Sequence, residues 1–227
     1  MAIVLKTKIA FVDVCGTLVD LNTMNKYIEY FFNKNNFFLK QRVLINLFKA
    51  LSRVGFLRGK KLRNAYLNML KNIDKNSFEK YIDQFFYDHC KYNLNYELLD
   101  FLYSLQKKGY KIIIVSASLM TICKMISLKL KFDAFICTNL EVINNKFTGK
   151  TVGGFCEGMK KVESIKNFLQ VNSMQTSNTI GFGNSIEDKE MLSFCQKSYV
   201  IWANENMRVL ANKYNWLIGV NPLIDTY

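Results

Sequence analysis

The chain has 227 residues, half of them hydrophobic, with a single proline and 11 glycines. That balance excludes disorder, collagen-like repeats and proline-rich linkers, and it supports one substantial core with room for a smaller second domain. The formal charge of +13 is concentrated: residues 20–95 hold 14 Lys/Arg against 6 Asp/Glu, a local excess of 8. Such a field favours anionic ligands, nucleic acid or acidic membranes without choosing among them, and only non-specific attraction to nucleic acid is expected. No apolar run approaches the ~20 residues that span a bilayer. Met1 to Lys8 carries lysines but no apolar stretch follows, because Asp13 interrupts it, so no secretion signal is expected. The six cysteines (15, 90, 123, 137, 156, 195) contain no C-x-x-C pair. Reduced thiols in a cytoplasmic protein fit this scatter better than a zinc site or a disulfide framework.

Taken in order, Ile9-Ala10-Phe11-Val12-Asp13-Val14-Cys15-Gly16-Thr17-Leu18 is a β-prone run that ends in an isolated carboxylate. It predicts a buried strand delivering Asp13 to its carboxyl-terminal tip, where ligands sit in open α/β sheets. Residues 20–95 then lose strand character. Asn22-Thr23 offers a helix cap, and apolar stripes follow through Tyr27–Phe32, Val43–Leu51, Leu62–Leu70 and Phe78–Phe86, with Asp74 or Asn76 capping the last. They predict an inserted domain of about four helices whose aromatics pack a core. From Tyr96 onward helix and strand alternate. A helix ends at Gly109, Lys111–Val115 is a strand buried on both faces, and Leu140–Thr148 is a hairpin around Asn144-Asn145. Thr179–Gly181, Tyr199–Trp202 and Trp216–Val220 are the last predicted strands. The pattern is a doubly wound, mostly parallel α/β sheet formed by residues 1–19 and 96–227, with the helical domain (20–95) inserted.

Four predicted element ends present polar groups that can converge: Asp13, Ser116, Lys160 or Lys161, and Gly183-Asn184-x-x-x-Asp188. A carboxylate nucleophile, a hydroxyl, a lysine and an acidic cluster suit phosphoryl transfer through an aspartyl-phosphate. The segments carry a resemblance as well. Asp13-Val14-Cys15-Gly16-Thr17-Leu18 resembles motif I of the haloacid dehalogenase superfamily, D-x-D-G-T-L, and Val115-Ser116-Ala117-Ser118 resembles motif II. Cys156-Glu157-Gly158-Met159-Lys160-Lys161-Val162 resembles the motif III segment C-x-G-x-x-K-V, and Phe182 to Leu192 resembles motif IV, Y-G-N-S-x-x-D-x-x-M-L. Order, spacing and the hairpin between them match the phosphoserine phosphatase-like branch, in which a helical C1 cap lies between motifs I and II. The resemblance implies a Rossmann-like core, Asp13 as nucleophile, and a small phosphorylated metabolite as substrate. It assigns the phosphoryl group to Ser116, Ala117, Lys161, Gly16 and Thr17. It assigns Mg²⁺ to Asp13, Asn184, Asp188 and the main-chain carbonyl of Cys15.

One departure stands out. The family's motif I has a second aspartate, the acid and base of the two half-reactions, where this chain has Cys15. A thiol donates a proton but is a poor base near neutrality, and loss of a positioned acid–base group costs about 10²–10⁴-fold. Asn184 in place of the commoner aspartate predicts weaker Mg²⁺ binding. A phosphatase is therefore the leading expectation, and a dehalogenase-like or catalytically weakened, ligand-binding member is the alternative. Arg53, Arg58, Lys60, Lys61 and Arg63 could face either the cleft or solvent. His89 is expected to be structural. The pattern specifies no oligomeric state.

Overall fold

Ile9, Ala10, Phe11 and Val12 are fully buried, so the first strand, β1 (Thr7–Val12), is covered on both faces. The structure, a computed structural model, describes residues 7–35 and 37–220, and most of the segment read above for a secretion signal lies outside them. Six further strands follow: β2 (Tyr110–Leu119), β3 (Ala134–Ile143), β4 (Lys146–Val152), β5 (Thr176–Gly183), β6 (Lys197–Val200) and β7 (Leu217–Ile218). They form one sheet in the order β4-β3-β2-β1-β5-β6-β7. All neighbours are parallel except the β3–β4 hairpin. The hairpin turns on Asn144 and Asn145, both at positive φ, the conformation of a two-residue hairpin loop.

Five helices stand between β1 and β2's leading helix: α1 (Thr23–Lys34), α2 (Leu39–Arg53), α3 (Gly59–Met69), α4 (Lys75–Glu79) and α5 (Ile82–Phe85). Asn22 caps α1 by accepting from the Asn25 amide, and Asp74 caps α4 by accepting from that of Ser77. The stripe from Phe78 to Phe86, read as one helix, is instead broken into α4, α5 and a π-helical turn over Phe86–Cys90. The aromatics do pack a core. Phe78 is fully buried, with its ring centroid 4.8 Å from Tyr27, 5.2 Å from Phe31 and 5.3 Å from Phe147 of β4. Phe78→Ala should therefore cost about 3–5 kcal/mol, read as a lower denaturation midpoint with an unchanged slope. A loss below ~1 kcal/mol would mean that Phe78 is not a keystone of this cluster.

α2 departs from the sequence reading. Val43, Leu44 and Leu47 were expected inside, yet they are 68%, 40% and 49% exposed, and Ile45 is the buried residue of this helix. Its inward side is set by Ile45, by Phe48 against Tyr66 (5.7 Å), and by an ion pair from Lys49 to Glu29 (2.7 Å).

The remaining helices, α6 (Tyr96–Lys107), α7 (Met120–Leu130), α8 (Met159–Val171), α9 (Lys189–Phe194) and α10 (Glu205–Tyr214), cover the sheet. Alternate residues of the central strands serve two cores. Ala10, Val12, Ile112 and Ile114 pack with α6, α7 and the insert, whereas Ile9, Phe11, Ile113 and Val115 pack with Ile165 of α8 and Met191 of α9. This is the doubly wound arrangement the uninterrupted apolar run implied. β6 starts two residues before the predicted strand and ends before Trp202, whose positive φ breaks extension. Among the described residues no helix is long and apolar enough to cross a membrane, and all six cysteines are free.

Candidate active site

The register of three strands assembles the site. Val12 lies opposite Ile114 of β2 and Phe182 of β5, so Asp13, Ser116 and Gly183 lie together toward the carboxyl ends of their strands. The Asp13 amide donates to the Phe182 carbonyl (2.9 Å), which fixes the strand as it turns away. α8 begins just after Gly158, whose φ of 54° turns the chain so that Lys161 falls in the first helical turn and points inward, 1% exposed.

Lys161 Nζ donates to Asp13 Oδ1 (2.7 Å) and Asp188 Oδ1 (2.5 Å). The second oxygen of Asp188 accepts from the amides of Asn184 (3.0 Å) and Ser185 (3.1 Å) and from Ser185 Oγ (2.9 Å). Asp188 is thus fixed at both oxygens. A Cβ on Gly183 would come within 2.6 Å of the Asp188 Cβ, so glycine is required for this close approach. Two carboxylates face one ammonium, leaving a net negative charge in a buried place. Burial lifts the Asp13 carboxyl to about 6, with Lys161 opposing and Asp188 reinforcing the rise. Burial also pushes Lys161 down, but the charges of Asp13 and Asp188 outweigh it and hold the ammonium above its ordinary range.

A cavity of about 160 Å³ opens on this cluster. Its walls include Asp13, Cys15, Ser116, Ala117, Ser118, Lys161 and Asp188 from the core and Asn22, Met24 and Arg63 from the insert. Gly16, Thr17 and Asn184 are placed beside that wall and not on it. Thr17 Oγ1 donates to Asn184 Oδ1 (3.2 Å), and a Cβ on Gly16 (φ 75°) would strike the Asn184 amide at 2.2 Å. Both residues, expected to touch phosphate, pack against Asn184 here. Cys15 Sγ lies 3.1 Å from Thr23 Oγ1, which lies 2.7 Å from Ser118 Oγ, forming a chain of hydroxyls that ties motif I to the insert and to β2. Burial, and then the Asp13 charge, pushes the Cys15 thiol up to about 11.

Of the five basic residues considered for the cleft, Arg63 alone lines this cavity. It pairs with Glu157, and its guanidinium lies 5.0 Å over the Phe155 ring. Arg53 borders a separate groove between α1, α2 and α3, and Arg58, Lys60 and Lys61 are exposed. His89 packs against Tyr30 and Phe85 outside the cavity. Asn22, read only as a helix cap, and Met24, Ser118 and Glu157 were given no place in the site from the sequence. Ser118 alone had a local signal, since it follows Ser116 by two residues in a strand and so shares its face.

The donor set suits a hard cation. Among the described residues no group of three His, Cys, Asp or Glu side chains is placed to chelate a metal. Two carboxylates, an amide and a main-chain oxygen would leave about two places of an octahedral shell to water and substrate, all of them the oxygen donors that suit Mg²⁺. The uncompensated negative charge at Asp13 and Asp188 fits a cation there.

Lys161→Met would strand two buried carboxylates. We expect a loss of about 3–5 kcal/mol at about pH 8. The loss should shrink at about pH 5, because a carboxyl whose folded pKa is raised penalises folding only as pH climbs from its unfolded value through its folded one. Denaturant titrations at both pH values check this, and a deficit independent of pH would contradict it.

Comparison with known proteins follows the same lines. A family model described as haloacid dehalogenase-like hydrolase matches residues 10–193. A phosphoserine phosphatase of Lactococcus lactis is 32% identical over 104 residues, covering 43% of this chain and 48% of that protein. Its counterpart from Streptococcus thermophilus is 28% identical over 145 residues, 60% of this chain and 64% of that one. The alignments thus span about half to just under two-thirds of these relatives. Among solved structures, a Bordetella pertussis protein of unknown function superposes with a TM-score of 0.83 at 15% identity, covering 95% of this chain and 99% of that one. A phosphoserine phosphatase solved as a phospho-aspartyl intermediate analogue gives 0.64 at 19% identity, with 96% of both chains covered. At these identities the structural likeness is one of fold.

Proposed function

Because the chain belongs to the haloacid dehalogenase-like hydrolase family, we propose that it is a Mg²⁺-dependent phosphomonoesterase of small phosphorylated metabolites that works through an aspartyl-phosphate on Asp13. The observation that carries the reading is the bridge from Lys161 to both Asp13 and Asp188 at the floor of a cavity. It orients one oxygen of Asp13 and leaves the other to attack phosphorus. Ser116 and the main chain of Ala117 bind the phosphoryl oxygens, with the Lys161 ammonium neutralising their charge. As phosphorus bonds to Asp13, the ester P–O bond breaks and the departing oxygen takes the Cys15 proton. Water then attacks phosphorus, the bond from phosphorus to the Asp13 oxygen breaks to regenerate the carboxylate, and a proton returns to the Cys15 sulfur as phosphate is released. Mg²⁺ would be held by Asp13, Asp188, Asn184 and the Cys15 carbonyl, and when bound it offsets charge on the phosphoryl group.

Cys15 makes the second half-reaction the slow one. The thiolate left by the first step regains a proton from solvent, and with a pKa of about 11 only about one in 10⁴ stays deprotonated at neutral pH, so few molecules can deprotonate the water. This favours a slow phosphatase that holds its phosphoryl group over a fast one. Against a dehalogenase stands the match of the segments Cys156–Val162 and Phe182–Leu192 to the phosphatase branch. Six free thiols fit a cytoplasmic setting. The test is phosphate release from a panel of phosphate esters, phosphoserine first, with and without Mg²⁺. Release that requires Mg²⁺ supports the reading, and halide release without Mg²⁺ overturns it.

A further inference from the structure

The outer face of α2 is apolar where a surface helix should be polar. Leu39, Val43 and Leu47 recur at the i, i+4, i+8 spacing that lines one face, and they are 65%, 68% and 49% exposed. The turn after the helix extends the patch through Val54 and Phe56, which are 77% and 82% exposed. Scattered apolar residues on a surface need no explanation, but a continuous stripe does. Its surroundings are equally unusual. Residues 39–63 hold eight Lys/Arg and no Asp or Glu. Lys49 pairs with Glu29 and Arg63 with Glu157, whereas Lys40, Arg42, Arg53, Arg58, Lys60 and Lys61 have no acidic partner among the described residues.

We propose that this face, α2 and the turn to α3, docks on an anionic phospholipid surface. An aliphatic stripe rimmed by unpaired cations is the chemistry that a headgroup layer accepts. The apolar side chains enter the acyl boundary and the lysines and arginines meet lipid phosphates. A nucleic-acid face would place cations and stacking aromatics at its centre, where this one has valine and leucine. A second copy of the chain would bring six unpaired cations against six more across a two-fold axis. The docking face lies outside the catalytic cavity and is independent of the reaction assigned to it.

The test is co-sedimentation of the full chain with vesicles of phosphatidylcholine, alone or mixed with phosphatidylglycerol. Binding to the mixed vesicles should exceed binding to neutral ones by about tenfold or more. Val43→Asp with Leu47→Asp should lower it by at least about tenfold. Thermal melting and turnover of a water-soluble phosphate ester should stay as in the parent, since both side chains are exposed. Leu47→Trp should show a blue-shifted emission difference on mixed vesicles only. Equal binding to both vesicle types, undiminished binding by the double variant, or unshifted Leu47→Trp emission would overturn the proposal. So would a dimer in solution that the double variant dissolves, or RNA retention that the same variant abolishes.

Discussion

Asp13→Asn should lower phosphate release by at least about 10⁴-fold, the scale on which loss of a nucleophile removes covalent catalysis. The substitution keeps the shape of the side chain and the hydrogen bond that the main-chain N–H of residue 13 donates to the Phe182 carbonyl. Lys161 retains Asp188, so the ammonium remains compensated. The cavity should therefore survive while the nucleophile is lost. The readout is phosphate release at saturating substrate and Mg²⁺, with a denaturation curve alongside to show that the fold is intact. A variant that folds normally and keeps its turnover would remove Asp13 from the chemistry.

Cys15→Asp should act in the opposite direction and raise turnover by about 10²–10⁴-fold, the usual worth of a positioned acid–base group. The geometry accommodates it. Thr23 Oγ1, 3.1 Å from the sulfur, can donate to a carboxylate and is itself steadied by Ser118. A carboxylate here would take the proton from water at neutral pH, which the thiol at about 11 does not. The change adds a third acidic group beside Asp13 and Asp188, so the variant should be less stable in the absence of a cation and regain stability with Mg²⁺. The gain should fall on breakdown of the phosphorylated enzyme more than on its formation. Equal or slower turnover would mean that the acid–base group lies elsewhere in the cavity.

How much of this was legible in the sequence varied with the range of the interaction. Ile112–Val115 declared a doubly covered strand because four consecutive apolar residues leave no face for water, and all four are fully buried. Motif spacing favoured Lys161 over its neighbour, and the two side chains do diverge: Lys161 reaches Asp13, whereas Lys160 pairs at the surface with Glu163 (3.2 Å). Contacts between remote segments left no such mark. Nothing local to Thr23 announces Ser118, 95 residues away, and nothing local to Arg63 announces Glu157. The α2 stripe failed differently. Periodicity gives the spacing of apolar residues around a helix but not which side the fold turns inward. The Lys49–Glu29 pair and the Phe48–Tyr66 contact settle that side here. Gly16 and Thr17 were legible as part of a phosphate-binding motif, whereas their packing on Asn184, remote in the chain, was not.

The central claim is that Asp13 carries the phosphoryl group and that Cys15 delays its release. Acid-quenched peptide mass spectrometry of the parent chain, mixed with a turned-over phosphate ester and Mg²⁺, tests both halves at once. The account predicts one phosphoryl group on the peptide containing Asp13, building up in the parent and vanishing sooner in Cys15→Asp. Phosphate released at an unchanged rate by Asp13→Asn, with the phosphoryl group on another residue or on none at any time, would contradict it.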